Sequence, residues 1–410
     1  MPVDRLAHAL RDELAELERT GGLKGAESVT VEVVPASGPR GPRYRIAGEG
    51  KRLFLRMNSN GYLGMALREE VIAAEEEAAR RFGAGPQAVR FISGTHAPHV
   101  ELEAKLAAFH DRAAGMIFSS AYATVMGVLP PLVGPETAVI SDALNHNSII
   151  NAMRLARPAE KIVYDHLDLS QLDAALAGAA GRCRRAIVVT DGVFSMRGDH
   201  APLHDIAERV RAWDEHFPEN ALLLVDDSHG VGALGETGRG SEEHCDARAD
   251  LLVATLGKAL GVNGGYVVGE DDLIDYLRER SPFYVYSNPI TPAEAAAAGR
   301  ALELLDGETG RGLLTQLRSV TTRFEQGLVA LGYETIPGPH PVVPLLVRDT
   351  ARTRALVAHL REHGVLATGL AYPVVPKGDE EIRFQLSAEH TAADVDEVLE
   401  ALAAFPGRSS

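Results

Sequence analysis

Apolar positions recur along this chain with two periods. Val3, Leu6, Leu10, Leu14 and Leu17 stand three or four residues apart among charged neighbours, which predicts a helix over 3–19 that Gly21 and Gly22 end. Residues 29–34 alternate toward a strand, and Gly38-Pro39-Arg40-Gly41-Pro42 breaks the chain after it. Helical spacing returns over 68–82 and 101–110. From there short apolar runs at 116–118, 138–140, 161–164, 186–190, 222–225, 251–254 and 266–268 are separated mostly by helical stretches. Runs of that length predict strands buried on both faces, and so a mostly parallel, seven-stranded sheet covered by helices. A Pro-rich break at 288–294 precedes a helix over 293–305. Strands at 341–347 and 382–387, with two or three helices, then predict a smaller α+β domain. The expected organisation is an amino-terminal arm over 1–56 that packs on a partner, a large domain over 57–292 and a small one over 293–410.

Composition narrows the function classes. The 410 residues exceed one ordinary core. With 41 basic and 57 acidic residues the net charge is −16, which argues against nucleic acid or an anionic membrane surface as partner. Cys183 and Cys245 alone supply no disulfide framework or cysteine zinc site. No apolar run is long enough to span a bilayer, and the first residues lack a signal-peptide core, so a cytoplasmic location is expected.

The chemistry starts at Ala254-Thr-Leu-Gly-Lys-Ala-Leu-Gly261, where an apolar run delivers Lys258 into a tight turn. A phosphate-binding lysine would need G-x-x-x-x-G-K-[ST], which is not present. A covalent lysine needs a cofactor aldehyde and an acid for its ring nitrogen, the pairing used with pyridoxal 5'-phosphate (PLP). Leu222-Leu-Leu-Val-Asp226-Asp-Ser-His229 supplies that acid at the end of a buried run, where ligands of open α/β sheets sit. His229, three residues on, could reach the ring's phenolate oxygen. An Asp capping a turn is the plainer reading of Asp226 by itself; Lys258 about 30 residues later shifts the balance to PLP.

Other run ends carry candidates. Ser119, Ser120, Ala121 and Tyr122 open a helix whose free N–H groups could hold a phosphate or simply be capped. His146 could stack on a flat ring or lie on the surface, and Asp191 and Ser195 follow the 186–190 run. Arg383, on a short alternating strand, could fork onto a carboxylate or form a rim ion pair. His96 and His99 lack a third metal ligand at a credible spacing, so capping is expected there and no metal site is assigned.

Six motifs together resemble the α-oxoamine synthases of PLP fold type I. They are Val89-Arg-Phe-Ile-Ser-Gly-Thr95, Ser141-Asp-Ala-Leu-Asn-His146, Thr190-Asp-Gly-Val-Phe-Ser-Met196, Asp226-Asp-Ser-His229, Thr255-Leu-Gly-Lys258 and Tyr372-Pro-Val-Val-Pro-Lys-Gly378. The similarity runs from Asn60 through Ala388 and looks closest to the glycine C-acetyltransferase (2-amino-3-ketobutyrate CoA ligase) branch. It implies a PLP-dependent transferase fold with Lys258 as the Schiff-base lysine that later moves the substrate's α-proton. It further implies Asp226 on the pyridine nitrogen, His229 on the phenolate oxygen and His146 against the ring. Ser120, the Ala121 and Tyr122 amides, Thr255 and Ser287 from a neighbouring subunit would serve the phosphate, with Asp191 at the cofactor's side. Asn60, Ser195 and Arg383 would orient the substrate's carboxylate and the product's carbonyl.

The resemblance implies a homodimer with a shared site, which joins an amino acid to an acyl thioester carried on CoA or a carrier protein, or runs the reverse thiolysis. Glycine with acetyl-CoA is the expected pair. A biosynthetic synthase with other substrates, decarboxylating or not, is the alternative. An aminotransferase or aldolase of the same fold, or a protein that binds without catalysing, fits the 372–391 segment and the intact Lys258, Asp226, His229 and Arg383 less well. Two positions depart from the family pattern: Gly61, where Asn or Asp is usual, and Arg197, where an acidic residue is common. Both flank substrate-side positions and bear on substrate identity.

Overall fold

The protein is described by a computed structural model covering residues 3–406 except 21, 24, 373, 374 and 376. Pro373, Val374 and Pro376 of the 372–378 motif thus lie outside the described residues. The chain forms two compact units, residues 60–318 and a second made of 1–59 with 319–410.

All seven apolar runs after residue 115 form one sheet in the first unit: β1 (Ala114–Phe118), β2 (Thr137–Asp142), β3 (Glu160–Tyr164), β4 (Arg185–Asp191), β5 (Ala221–Asp226), β6 (Leu251–Thr255) and β7 (Gly265–Gly269). The order is β1-β7-β6-β5-β4-β2-β3, with β7 antiparallel to both neighbours and the other pairings parallel. The runs show little polar alternation because both faces are covered. Ile187, Val189 and Leu224 enter one core with Val125, Leu129 and Met153. Val188, Leu223 and Val225 enter the opposite core with Leu172, Leu176 and Ile206. Burying each large side chain stabilises the fold by about 1.5–3 kcal/mol.

The strand order also locates a crevice. The chain passes from β2 outward to β3 and then returns to the other side of β2 to lay down β4, β5 and β6. That reversal makes a topological switch point at the carboxyl ends of β2 and β4, where open α/β sheets bind ligands.

The second unit holds a four-stranded antiparallel sheet, β8 (Glu334–Thr335), β9 (Val342–Leu346), β10 (Thr368–Leu370) and β11 (Glu381–Gln385), in the order β8-β9-β11-β10. The amino-terminal segment is tied into it. Arg43 donates to Asp394 Oδ1 and Glu397 Oε2, both at 2.8 Å, and Leu55–Arg56 pairs in parallel with Val365–Leu366. The predicted first helix forms at Asp4–Thr20 and buries none of its residues. Among the described residues no helix is long and apolar enough to cross a membrane.

At the start of the helix Ala97–Phe109, His99 Nδ1 accepts from the His96 N–H at 3.1 Å, and the His96 carbonyl accepts from the His99 N–H at 3.0 Å. His99 Nε2 donates to the Ile290 carbonyl at 2.8 Å.

Candidate active site

Three strand ends and one turn build the site. β4 and β5 stop at Asp191 and Asp226, which pair in register, so two buried carboxyls stand side by side. β6 stops at Thr255, and the turn after it carries Lys258. Thr255 Oγ1 donates to the Gly264 carbonyl at 3.2 Å and accepts from the Gly257 N–H at 3.0 Å, and the Gly261 N–H donates to the Lys258 carbonyl. Gly261 has φ +72°, and a Cβ there would overlap the Ala66 amide, so position 261 admits no side chain.

Asp227 anchors the β5 end from below. It accepts from the Ser241 N–H and hydroxyl at 2.8 and 2.6 Å, and a Cβ on Gly230 or Gly240 would overlap its carboxylate. Burial pushes Asp227 up to about 8 against those hydrogen bonds.

Lys258, Asp226, His229, His146, Asp191, Ser195, Ala121 and Tyr122 line one cavity. His146 caps the helix α1 (Asn147–Ala156): its Nδ1 accepts from the Ser148 N–H at 3.2 Å, and its own N–H donates to Asp191 Oδ2 at 2.9 Å. Burial lowers His146, and the positive Lys258 adds to this while Asp226 opposes it. A neutral, flat ring therefore faces the cavity. Asp191 is raised well above the carboxylate range by burial and by Asp226's charge. His229 is fixed by Tyr62, whose hydroxyl lies 2.7 Å from His229 Nδ1; Asn60 Oδ1 accepts from the same hydroxyl at 3.4 Å.

The helix α2 (Ala121–Leu132) starts beside this cavity. Ser120 caps it by accepting from the Ala123 N–H at 3.1 Å, which leaves the first-turn amides of Ala121 and Tyr122 to a ligand. Gly265, the first residue of β7, faces Phe118 on one side and Thr255 on the other, and a Cβ on it would overlap the Ala121 amide. Thr255 and the α2 start thus flank one backbone position.

Ser120, Thr255, Asn60 and Ser287 are not among the residues lining the cavity. Ser287 Oγ lies 3.5 Å from the Asn288 carbonyl. Arg383 belongs to the other unit, at the middle of β11, paired with Pro344 and Thr368. Tyr62, Ser148, Val193 and Ser228 are additions that sequence reasoning missed. Tyr62 lies within the Gly-punctuated stretch after Asn58, but its contact to His229 spans 167 residues and leaves no local pattern.

The cavity fits PLP. Among the described residues its Ser228 hydroxyl is buried without a hydrogen-bond partner, its acids outnumber the nearby lysine, and a capped helix start adjoins it. A phosphorylated, cationic ring answers all three features.

Comparison with known proteins agrees. The model of the class I and II aminotransferase family matches residues 53–402. The chain is 41% identical over 394 residues to 8-amino-7-oxononanoate synthase of Exiguobacterium sibiricum, covering 96% of each. It is 38% identical over 383 residues to the human mitochondrial 2-amino-3-ketobutyrate coenzyme A ligase, covering 93% of this chain and 88% of that one. In structure it is similar to the serine palmitoyltransferase of Sphingomonas wittichii, with a TM-score of 0.87 at 28% identity over 98% of this chain and 97% of that one. A serine palmitoyltransferase solved with PLP gives 0.83 at 26% identity over the same shares. The chain belongs to the α-oxoamine synthase family, PLP-dependent acyltransferases of fold type I.

Proposed function

We propose that this enzyme joins the α-carbon of glycine to the acetyl group of acetyl-CoA, or runs the reverse thiolysis of 2-amino-3-ketobutyrate. The observation that carries the chemistry is the single cavity shared by Lys258, Asp226, His229 and His146. When bound there, PLP supplies an electron sink for the pair left on the substrate's α-carbon. Lys258 removes the α-proton and Asp226 holds the pyridine nitrogen. His229, oriented by Tyr62, would meet the phenolate oxygen, and His146 would lie against the ring. The Ala121 and Tyr122 amides with Ser120 and Thr255 hold the phosphate; Asp191, through the His146 N–H, holds the stacking residue in place. The new C–C bond forms at the thioester carbonyl as its C–S bond breaks, and the thiol leaves with a proton. Asn60 and Ser195 orient the carboxylate and the carbonyl. The human 2-amino-3-ketobutyrate coenzyme A ligase supports this substrate pair.

A second reading is favoured by the 41% identity to 8-amino-7-oxononanoate synthase. The compound in that name has an amino-bearing carbon that also carries a methyl group and adjoins a ketone, as alanine losing its carboxylate would give.

A homodimer belongs to the same proposal. Its support is the unburied apolar stripe of Leu6, Leu10, Leu14 and Leu17, with Phe91 and Ile92 each 65% exposed. Ser287 would then serve the phosphate of the partner's site.

The test is thiol release from a panel of acyl-CoA thioesters with glycine, alanine, serine or threonine, run on enzyme whose mass in solution is measured. Release with glycine and acetyl-CoA is expected from a species of twice 43.8 kDa. Release only with alanine and a longer acyl chain would replace the first reading by the second, and an active monomer would remove Ser287's role.

A further inference from the structure

We propose that His166 is a positioning residue for the amino-acid side of the cavity: it ties the turn carrying Val193 and Ser195 to the carboxyl end of β2, through Asp142 on one ring nitrogen and Asp199 on the other. This rests on the reading that the amino acid lies against Ser195.

The geometry is a chain of alternating charges. His166 Nδ1 lies 3.0 Å from Asp142 Oδ1, and Nε2 lies 3.2 Å from Asp199 Oδ2. Both nitrogens meet carboxylates, so both donate and the ring is an imidazolium. Asp142 is rigid: it ends β2, is 2% exposed, and accepts from the Leu144 and Leu167 N–H groups at 2.8 and 3.0 Å. Asp199 closes the turn, since its carbonyl accepts from the Phe194 N–H at 2.9 Å and the Phe194 carbonyl accepts from the Gly198 N–H at 2.9 Å. The His166 ring also packs edge-on against buried Phe194, with centroids 4.4 Å apart. Phe194 lies between Val193 and Ser195, which line the cavity, whereas Asp142, His166 and Asp199 do not line it.

Arg197, one of the two positions where this chain departs from the family pattern, joins the same cluster: its Nε donates to Asp199 Oδ2 at 2.9 Å. Two cations therefore share one oxygen. The charged and titratable groups facing the cluster are Asp142, Asp199, Arg197, Tyr164 beside Asp142 and His200 beside Asp199. Burial opposes the charged form of His166, but hydrogen bonds to Asp142 and Asp199 and their charges outweigh it and bring the ring to about 9. The link is complete at neutral pH and is lost as pH rises through about 9.

The test compares holoenzyme with His166→Gln by amide hydrogen exchange and by glycine titration followed through the cofactor's absorbance. Exchange at Phe194 and Gly198 should quicken about tenfold or more, and the glycine Kd should rise about tenfold while saturated kcat moves far less. The unmodified enzyme should lose glycine affinity above pH 9, and His166→Gln should lack that step. If His166→Gln does not fold, Asp199→Asn carries the same test from the more exposed end. Unchanged exchange in the folded variant overturns the proposal, and so does faster exchange with unchanged Kd. If no amino acid moves the spectrum of the unmodified enzyme, the functional reading falls, and the exchange rates still decide whether the tie exists.

Discussion

Glu103 and Asp226 are both buried acids of the sheet-bearing unit, 5% and 6% exposed, and the protein serves them in opposite ways. Glu103 accepts from Arg90 Nη1 and Nη2 and from Arg278 Nη2, all at 3.1 Å, and from the Ile117 N–H at 3.0 Å. Its charge is answered by the chain itself. Asp226 accepts from the Ser228 N–H at 3.1 Å and borders a cavity that it shares with a second acid, Asp191. The first arrangement is a closed network that holds β1 to its helices. The second concentrates acid where a cationic ring can complete it, so its worth is realised on binding. Burial and charge alone do not separate the two; the empty volume beside the carboxylate does.

The sharpest way to break the contrast is at Lys258. Lys258→Ala should lower turnover by roughly 10³-fold or more and abolish borohydride-trapped cofactor on the chain, with the fold intact by circular dichroism. Cofactor trapped at another lysine would overturn the assignment.

The paired acids come next. Glu103→Gln should cost about 3–5 kcal/mol in urea unfolding, because Arg90 and Arg278 are left without their carboxylate, while kcat of the folded enzyme holds. Asp226→Asn should do the reverse, with kcat falling about 100-fold at unchanged or higher melting temperature. If both variants lost stability alike, the distinction between a closed and an open cluster would fail.

The smallest effect is one of pH. Burial holds His99 down to about 4, below its ordinary 6.5, so the native state keeps it neutral where the unfolded chain would bind a proton. Its contribution, of order 3 kcal/mol, is present above pH 6.5 and is lost as pH falls through about 4. Unfolding free energies measured over that window should show the slope, and His99→Gln should flatten it.

Much of the site is legible in the amino-acid sequence because its residues follow strand ends. Asp226, Asp191 and the Lys258 turn sit at a fixed step beyond apolar runs, and all seven runs form strands of one sheet. Tyr62 and His166 are not legible in that way. Each works by a contact to a residue far along the chain, His229 and Asp199 respectively, and a lone Tyr or His in a polar loop carries no periodic signal.

The amino-acid sequence by itself determined the elements, their alternation and the identity of the reactive groups, because local periodicity and short motifs reflect the covalent neighbourhood. Only the tertiary structure decided the strand order that opens a crevice between β2 and β4, the pairing of Asp191 with Asp226, and which buried acid is answered by arginines and which by a cavity. Those outcomes depend on contacts between residues distant along the chain, whose cost in loop closure is met only when the whole core packs at once.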